Sequence, residues 1–392
     1  MTEEATCIAF VAGEASGDLL AAPVIEALQR HDPSYQAVGV AGERMIAAGC
    51  NAWYHVRELS VRGYFEVLRE LPRLLRLRRT LARRLCTGSC CALVGVDSPD
   101  FNLALETRVR RAGVPTLHYV SPSIWAWRGW RIERIRQAAD RVLLVFPFEQ
   151  SIYDRAGIPA TYVGHTLASE IALRPDRAAA RARLGIAADK PVICLMPGSR
   201  RAEIQYIGPV FFAAAERLAL DLSDAIFIVP VADVGLRPLV EQIRSQICTQ
   251  VPLERITLID GRSHDCLEAC DGVLVASGTA TLEAALYKRP MVIAYRVPIG
   301  SAWVMRRIGG YLPWVGLPNI LAGEALVSEF LQEQATPQAV AEQLLRVLGD
   351  EKQQRQLEER FYAIHESLRR DTPALASEAI LHTIAQVRTR RS

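Results

Sequence analysis

Short apolar runs alternate with helical patterns along most of the chain. Each run is largely continuous rather than alternating between polar and apolar residues, which is typical of strands that are covered on both faces. Each is followed by a turn and then by apolar residues at helical spacing. In the first half the predicted strands lie at residues 7–11, 37–40, 92–96, 116–120 and 142–145. Strands that alternate with helices in this way predict a parallel, doubly wound sheet.

The pattern pauses at residues 168–190, which are rich in charged and small residues and predict a helix at a domain junction. It then restarts. The second set of predicted strands lies at residues 192–196, 225–231, 256–259, 272–275 and 292–294. From about residue 336 the pattern is helical only, and Pro373 divides it.

The sequence therefore predicts an α/β protein with two Rossmann-like domains that face a cleft. We expect the domains at residues 1–167 and 168–350, and a helical tail at 351–392 that packs back on the first domain. In open α/β sheets, ligands bind outside the carboxyl ends of the strands. The residues that follow the strands are therefore the candidates for function.

Composition narrows the classes of function. Half of the 392 residues are hydrophobic and the formal net charge is +3, so we expect a globular protein and no nucleic-acid partner. No apolar stretch is long enough to span a membrane, and no secretory signal is visible, which favours a cytoplasmic protein. The nine cysteines form no C-x-x-C pair and are expected to be reduced thiols. The histidines form no ligand cluster, so we expect no metal and no cofactor.

A turn of small residues, G-E-A-S-G-D at residues 13–18, follows the first predicted strand. Its glycines would let backbone N–H groups approach a ligand at a helix N-terminus, with Glu14 and Ser16 beside them. The spacing does not match a dinucleotide fingerprint. The alternative is a tight turn capped by Asp18.

Asp97 stands at the carboxyl end of another predicted strand, where a catalytic base would lie. The alternative is a plain N-cap, in which Asp97 or Ser98 caps a helix that begins at Pro99. A third strand leads to Trp125, Trp127 and Arg128, which would line a sugar or acyl-chain pocket or belong to a packed loop.

Two turns in the second half suit phosphate oxygens. The first, P-G-S-R at residues 197–200, places Ser199 and the guanidinium of Arg200 at a helix N-terminus. The second is S-G-T at residues 277–279, followed by Glu283, which is placed to accept hydrogen bonds from ribose hydroxyls. Two such turns in one domain favour a nucleoside diphosphate.

Residues 62–85 combine apolar residues at helical spacing with many arginines, and Pro72 is expected to break or kink the helix. The pattern is typical of an interfacial helix on an anionic membrane, and equally of an ordinary amphipathic helix that covers the sheet.

The order of these motifs resembles the lipid-A-disaccharide synthase family of glycosyltransferases. The resemblance spans residues 8 to 332 and continues into the tail. The motifs that carry it are V-A-G-E-A-S-G-D, V-D-S-P-D-F-N, Y-V-S-P-S-I-W-A-W-R, V-G-H, M-P-G-S-R, S-G-T-A-T-L-E, L-P-N and S-E-F-L-Q.

The resemblance implies a role for each matching residue. Asp97 matches the aspartate proposed as general base, with Glu14 and Ser16 at the active site and Arg200 as the arginine of P-G-S-R. The residues that match the nucleotide side are Ser199, Arg200, Ser277, Gly278, Thr279, Glu283 and Asn319.

The resemblance also implies a GT-B fold, with the acceptor lipid bound by the first domain and the UDP-sugar by the second. The implied substrates are UDP-2,3-diacylglucosamine and 2,3-diacylglucosamine 1-phosphate (lipid X), joined by inversion without a bound metal. Members are peripheral on the cytoplasmic face of the inner membrane of Gram-negative bacteria, where residues 63–85 would meet anionic lipids. A homodimer is left open. The alternatives are a GT-B enzyme that uses UDP-N-acetylglucosamine, either an undecaprenyl-linked glycosyltransferase or a 2-epimerase, and a non-enzymatic membrane-binding protein.

Overall fold

The computed structural model describes residues 6–59, 64–88, 90–125, 129–297 and 313–390, with the side chains of 64–69 left out. The chain forms two compact units. The first contains Met1–Ser169 and Leu368–Ser392, and the second contains Glu170–Ser367. Of the predicted features, Arg62, Gly63, Trp127 and Arg128 lie outside the described residues.

The first unit is built on a parallel sheet of seven described strands in the order β3-β2-β1-β4-β5-β6-β7. The strands are β1 Thr6–Ala12, β2 Tyr35–Ala41, β3 Asn51–His55, β4 Cys90–Val96, β5 Thr116–Tyr119, β6 Arg141–Leu144 and β7 Ala160–Tyr162. The helices between them are α1 Ala15–His31, α2 Glu43–Ala47, α3 Tyr64–Thr87, α4 Pro99–Arg111, α5 Arg131–Ala138, α6 Gln150–Arg155 and α7 Thr166–Glu170.

The second unit repeats this plan with six described strands in the order β10-β9-β8-β11-β12-β13. The strands are β8 Val192–Met196, β9 Ile226–Val231, β10 Ile256–Asp260, β11 Gly272–Ala276, β12 Met291–Tyr295 and β13 Ser328–Leu331. The helices are α8 Arg177–Leu184, α9 Arg201–Asp221, α10 Arg237–Ile247, α11 Ser263–Ala269, α12 Thr279–Leu286, α13 Leu317–Ala322, α14 Pro337–Gly349 and α15 Glu351–Leu368.

The central strands are buried along their whole length, as their continuous apolar sequences predict. Every residue of β4, β8 and β11 is buried. In both sheets the strand order reverses between the first and fourth strands, which is where doubly wound folds bind ligands. The prediction of two Rossmann-like domains is confirmed, and so is the helical tail.

The last helix, α16 Thr372–Thr389, belongs to the first unit rather than to the second. Its buried residues Ala376 and Ile380 lie in the same core as Ile25 of α1. The chain thus passes from the first unit to the second near residue 170 and returns near residue 368.

Some local predictions were wrong. Residues 168–190 contain two short helices, α7 and α8, rather than one helix. Helix α3 is continuous through Pro72, so the predicted break is absent. The structure also pairs the sulfur atoms of Cys7 and Cys90 on the neighbouring strands β1 and β4, so the expectation of reduced thiols fails there; the other seven cysteines are free.

Candidate active site

In the first unit, the turns after β1 and β4 contact each other at the point where the strand order reverses. A Cβ atom at Gly13 would collide with the side chain of Ser98. Only glycine permits this approach, so Gly13 brings the G-E-A-S-G-D turn against the turn that carries Asp97.

The turn after β4 is held in a strained backbone conformation. Asp97 and Ser98 both have positive φ angles, 53° and 44°. Val120, directly after the neighbouring strand β5, has a φ of 74°, which is unusual for a β-branched residue. Such strain costs on the order of 1–3 kcal/mol per residue and concentrates at functional sites.

The side chain of Asn102, on α4, holds this strained turn by hydrogen bonds. Its side chain is fully buried. The amide nitrogen Nδ2 donates to the main-chain oxygen of Asp97 at 2.8 Å, with longer contacts to Val11 at 3.1 Å and Val96 at 3.3 Å. One side chain therefore joins the ends of β1 and β4 to the turn between β4 and α4.

The carboxylate of Asp97 is left available for a ligand. Helix α4 begins at Pro99, as predicted, and Ser98 occupies the N-cap position, but neither Asp97 nor Ser98 makes a side-chain capping hydrogen bond with the described residues. Asp97 is half-buried, and among the described residues no hydrogen bond or ion pair engages its carboxylate.

A buried hydrogen-bonded pair of side chains lies close to the same turn. Glu106 Oε1 of α4 lies 2.7 Å from Nδ1 of His118 on β5, and both side chains are fully buried. Burial raises the pKa of Glu106, and the neighbouring His118 lowers it in part. A side chain at Gly95 would collide with Glu106, so the glycine in β4 makes room for the pair.

Glu14 and Ser16 are exposed at the start of α1, and the Glu14 side chain caps no helix. Asp18 does not cap its own helix either. It is buried and accepts hydrogen bonds from the backbone N–H groups of Gly42, Arg44 and Met45 at 2.8–3.0 Å. Asp18 therefore anchors the start of α2, and Glu14 and Ser16 do not contribute to these hydrogen bonds.

Trp125 belongs to the core, which is the packed-loop alternative for this residue. Its side chain is buried, and its indole N–H donates to Glu149 at 3.1 Å. The ring packs edge-on against Phe148. Glu149 is itself buried, and burial raises its pKa to about 8 against the opposing effect of hydrogen bonds from Phe146, Ser121 and Trp125.

In the second unit, the backbone of the turn after β8 binds a carboxylate from the protein itself. The carboxylate of Glu203 accepts from the backbone N–H groups of Ser199 and Arg200 at 3.1 and 3.2 Å. The Arg200 guanidinium donates to the same carboxylate at 3.0 Å. Ser199 and Arg200 are exposed, so their side chains face solvent while their amides are occupied.

The turn after β11 differs, because no side chain in the described part of the chain caps the helix that it starts. Gly278 and Thr279 are exposed, and Gly278 has a φ of 142° with open space around it. The hydroxyl of Ser277 donates to the main-chain oxygen of Val315 at 3.1 Å. The Ser277 hydroxyl therefore ties this turn to Val315, while Gly278 and Thr279 remain exposed to solvent.

Glu283 lies one turn into helix α12 and is half-buried. Burial raises its pKa, and the nearby His264 partly offsets the rise. Among the described residues its carboxylate has no hydrogen-bond partner. A desolvated carboxylate without a donor is unfavourable unless a ligand supplies one.

Asn319 is fully buried, and its amide is engaged by the protein. Its Nδ2 donates to the main-chain oxygen of Val327 at 2.9 Å and to Glu329 at 2.8 Å, and its Oδ1 accepts from Val327 at 2.8 Å. Glu329 also accepts from the backbone of Val315 and Gly316 at 3.0 and 2.9 Å. Asn319 and Glu329 thus hold the segment that braces Ser277.

The candidate residues form two groups, one in each unit. Asp97, Glu14 and Ser16 follow β4 and β1. On the nucleotide side, Ser199 and Arg200 follow β8, and Ser277, Gly278, Thr279 and Glu283 follow β11, whereas Asn319 lies on α13 before β13. Sequence analysis missed Asn102, Glu203 and Glu329 as supporting residues. The available signal was their position inside or next to the motifs.

Among the described side chains of helix α3, the leucines from Leu77 onward are buried, whereas Leu71 is exposed. Leu77, Leu81 and Leu85 are buried in the core of the first unit. Leu71 is 43% exposed. None of the described helices is both long and apolar enough to cross a membrane. The described residues also contain no group of three or more side chains placed to hold a metal ion.

Solved structures with the same architecture include glycosyltransferases. The calicheamicin glycosyltransferase CalG4 is 14% identical, with a TM-score of 0.61 over 97% of this chain and 99% of that one. The S. aureus MnaA–UDP co-structure is 16% identical, with a TM-score of 0.63 over 96% of this chain and 95% of that one. The two doubly wound units therefore have the GT-B fold.

The particular family follows from sequence similarity over nearly the whole chain. The family model described as lipid-A-disaccharide synthetase matches residues 8–380. The lipid-A-disaccharide synthase of Burkholderia lata is 48% identical over 380 residues, which cover 97% of this chain and 96% of the relative. The chain belongs to the lipid-A-disaccharide synthetase family.

Proposed function

We propose that the protein transfers 2,3-diacylglucosamine from its UDP derivative to 2,3-diacylglucosamine 1-phosphate (lipid X). The products are the β-1,6-linked disaccharide 1-phosphate and UDP. Family membership supports this reaction. The observation that carries it is the half-buried Asp97 carboxylate, which no described residue engages and which a strained turn holds where the strand order reverses.

Asp97 is the proposed general base. It takes the proton from the acceptor's 6-hydroxyl as the oxygen attacks the anomeric carbon of the donor sugar. The bond from that carbon to the diphosphate oxygen breaks, and UDP leaves with the electron pair. A single displacement of this kind inverts the anomeric configuration. Glu14 and Ser16, exposed on the adjoining turn, are proposed to contact the acceptor sugar.

The second unit is proposed to hold the UDP-sugar. The uncapped start of helix α12 offers the backbone of Ser277, Gly278 and Thr279 to the diphosphate, and Arg200 supplies a fixed positive charge. Glu283 accepts hydrogen bonds from the ribose. These donors would stabilise the leaving group without a metal ion.

Asn319 is proposed to act through the protein rather than by direct contact with the nucleotide. Both of its amide hydrogens and its oxygen are already bonded to Val327 and Glu329. It would therefore support the nucleotide side by holding the segment behind Ser277.

The first half of helix α3 is the proposed contact with the anionic inner membrane, on its cytoplasmic face. Leu71 is exposed and Leu74 and Leu75 are partly exposed, with Arg76 and Arg79 on exposed positions nearby. Arginines near an anionic surface contribute on the order of 1 kcal/mol each. Because Leu77, Leu81 and Leu85 lie in the core, the apolar part of the proposed contact is limited to residues before Leu77, whereas exposed arginines such as Arg79 extend beyond it.

A two-substrate assay tests the proposal. Purified protein is incubated in EDTA with UDP-2,3-diacylglucosamine and lipid X, and the disaccharide and UDP are measured by mass spectrometry. Parallel reactions contain UDP-N-acetylglucosamine, with and without lipid X. We expect product only from the acylated pair. Epimerisation or transfer of N-acetylglucosamine would favour the alternative enzymes, and UDP release from neither donor would contradict an enzymatic role.

A further inference from the structure

The turn after β8 binds an anion that belongs to the protein itself. Glu203, in the first turn of α9, accepts from the backbone N–H groups of Ser199 and Arg200 at 3.1 and 3.2 Å. These are the amides that a P-G-S-R turn would otherwise present to a phosphate. In the protein without nucleotide, Glu203 therefore already accepts hydrogen bonds from these two backbone N–H groups.

The local backbone is shaped around this carboxylate. Gly198 has a φ of 111°, and a Cβ atom built on it would lie 2.5 Å from a carboxylate oxygen of Glu203 and 2.7 Å from its Cβ. The Glu203 side chain is 15% exposed, whereas that of Arg200 is 79% exposed. The carboxylate is thus an internal part of the turn, and the guanidinium projects from it.

Among the described residues, only Glu203 bonds to the guanidinium of Arg200. Its Nη1 donates to Glu203 at 3.0 Å. A guanidinium has five N–H donors in a planar fork, so the remaining donors are free to meet a diphosphate. Both charges act on Tyr295 at the end of β12, whose pKa is raised by burial and by Glu203 and lowered by Arg200. The pair therefore lies at the carboxyl edge of the sheet.

We propose that Glu203 is a positioning residue that orients Arg200 toward the diphosphate of the donor. This role rests on the proposed function. The two turns of the second unit then make different contributions, because the uncapped turn at 277–279 provides backbone donors and the turn at 197–200 provides a side chain held in place by Glu203. Orienting the long arginine side chain in advance reduces the entropy lost when the nucleotide binds.

The test is a double-mutant cycle that uses calorimetry with UDP and with uridine, which lacks the diphosphate. Glu203→Gln is the main variant, because its carbonyl oxygen can still accept from the two backbone amides while the ion pair with Arg200 is lost. We expect it to weaken UDP binding about fivefold, the scale set by immobilising one long side chain, and to leave uridine binding unchanged. In an Arg200→Ala background the same change should have no further effect on UDP.

Glu216→Ala is the matched control. Glu216 lies near the other end of α9 and accepts from the backbone of Thr249 and Gln250 at 2.5 and 2.6 Å, so its loss affects a similar anchor far from the turn. It should lower the melting temperature and leave the UDP-to-uridine affinity ratio unchanged.

Three results would overturn the role of Glu203. Equal weakening of UDP and uridine would mean that it only caps the helix. Tighter UDP binding in Glu203→Gln would mean that it repels the diphosphate. If Glu203→Gln weakens UDP binding as much in the Arg200→Ala background as in the wild type, Glu203 does not act through Arg200. If wild-type protein binds UDP no more tightly than uridine, the proposed diphosphate site fails, and the role of Glu203 fails with it; transfer activity in the two-substrate assay would show whether the proposed function survives.

Discussion

The side-chain amide of Asn102 donates to the main-chain oxygen of Asp97 at 2.8 Å. Asn102 is fully buried and Asp97 has a left-handed backbone, so a core residue holds the candidate base in a conformation that it would otherwise leave. The strain at the turn is thereby tied to the packing of α4 against the sheet.

Asn102→Leu should remove the hydrogen bonds that hold the turn at Asp97. The variant keeps the approximate size of the side chain but removes the donor shared by the ends of β1 and β4, which should cost about 1–3 kcal/mol of unfolding free energy. We also expect a lower kcat at a temperature where the variant is fully folded. Urea denaturation and steady-state kinetics measure the two effects. Thr107→Ala, which removes a hydroxyl bonded to Leu103 within the same helix, is the control and should leave kcat intact.

Glu283→Gln should exchange nucleotide affinity for stability. Because burial raises the pKa of this carboxylate, its ionised form is unfavourable in the free protein, and the amide should raise the melting temperature near neutral pH. Hydrogen bonds from ribose hydroxyls to the carboxylate should be weakened, so UDP affinity should fall by about tenfold. Binding of 2′,3′-dideoxy-UDP should be unaffected. An equal loss for both nucleotides would argue against a ribose contact.

Serine substitutions in α3 should distinguish the exposed and partly exposed leucines before Leu77 from the buried leucines that follow. Replacing Leu71, Leu74 and Leu75 together should leave the protein folded and reduce its flotation with anionic vesicles. The matched variant Leu81→Ser, at a fully buried position of the same helix, should lose about 2–5 kcal/mol of stability. Undiminished vesicle binding by the folded triple variant would contradict the membrane proposal.

Glu149 should make stability depend on pH. Burial raises its pKa from 4.5 to about 8, so across this interval the folded protein keeps a proton that the unfolded chain has released. Stability should therefore fall as pH rises between these values, by at most about 1.4 kcal/mol per pH unit, and then level off. Glu149→Gln should lack this component. Identical pH profiles of unfolding free energy for the two proteins would show that Glu149 titrates normally.

The sequence predicted the centre of each sheet better than its edges. Strands such as β4 and β8 are buried on both faces, so their apolar runs identify them. The outer strands β3, β7 and β13 contain no fully buried residue, and their mixed sequences carry little signal. Nothing local to 51–55 or 160–162 indicates a strand, because pairing with a neighbour creates it.

The motifs of the candidate site could be predicted from the sequence, because residues at the end of a strand directly follow that strand along the chain. What the sequence left open was which side chains are free and which are engaged. Asp97 was open to interpretation as a helix cap, and the structure shows no such cap. The helix N-terminus that carries Ser199 and Arg200 was expected to suit phosphate oxygens, but the backbone N–H groups of both residues already donate to Glu203. These contacts depend on rotamers and turn geometry that the residue pattern does not specify.

The most direct test of the proposed chemistry is the activity of Asp97→Asn. The amide has nearly the same shape, and no described residue bonds to the carboxylate that it replaces, so folding should be unchanged. If Asp97 is the general base, kcat for the disaccharide should fall by about 10²–10⁴-fold while the calorimetric affinity for UDP stays at the wild-type value. Near-normal turnover by a folded Asp97→Asn protein would contradict the role of Asp97 as the base.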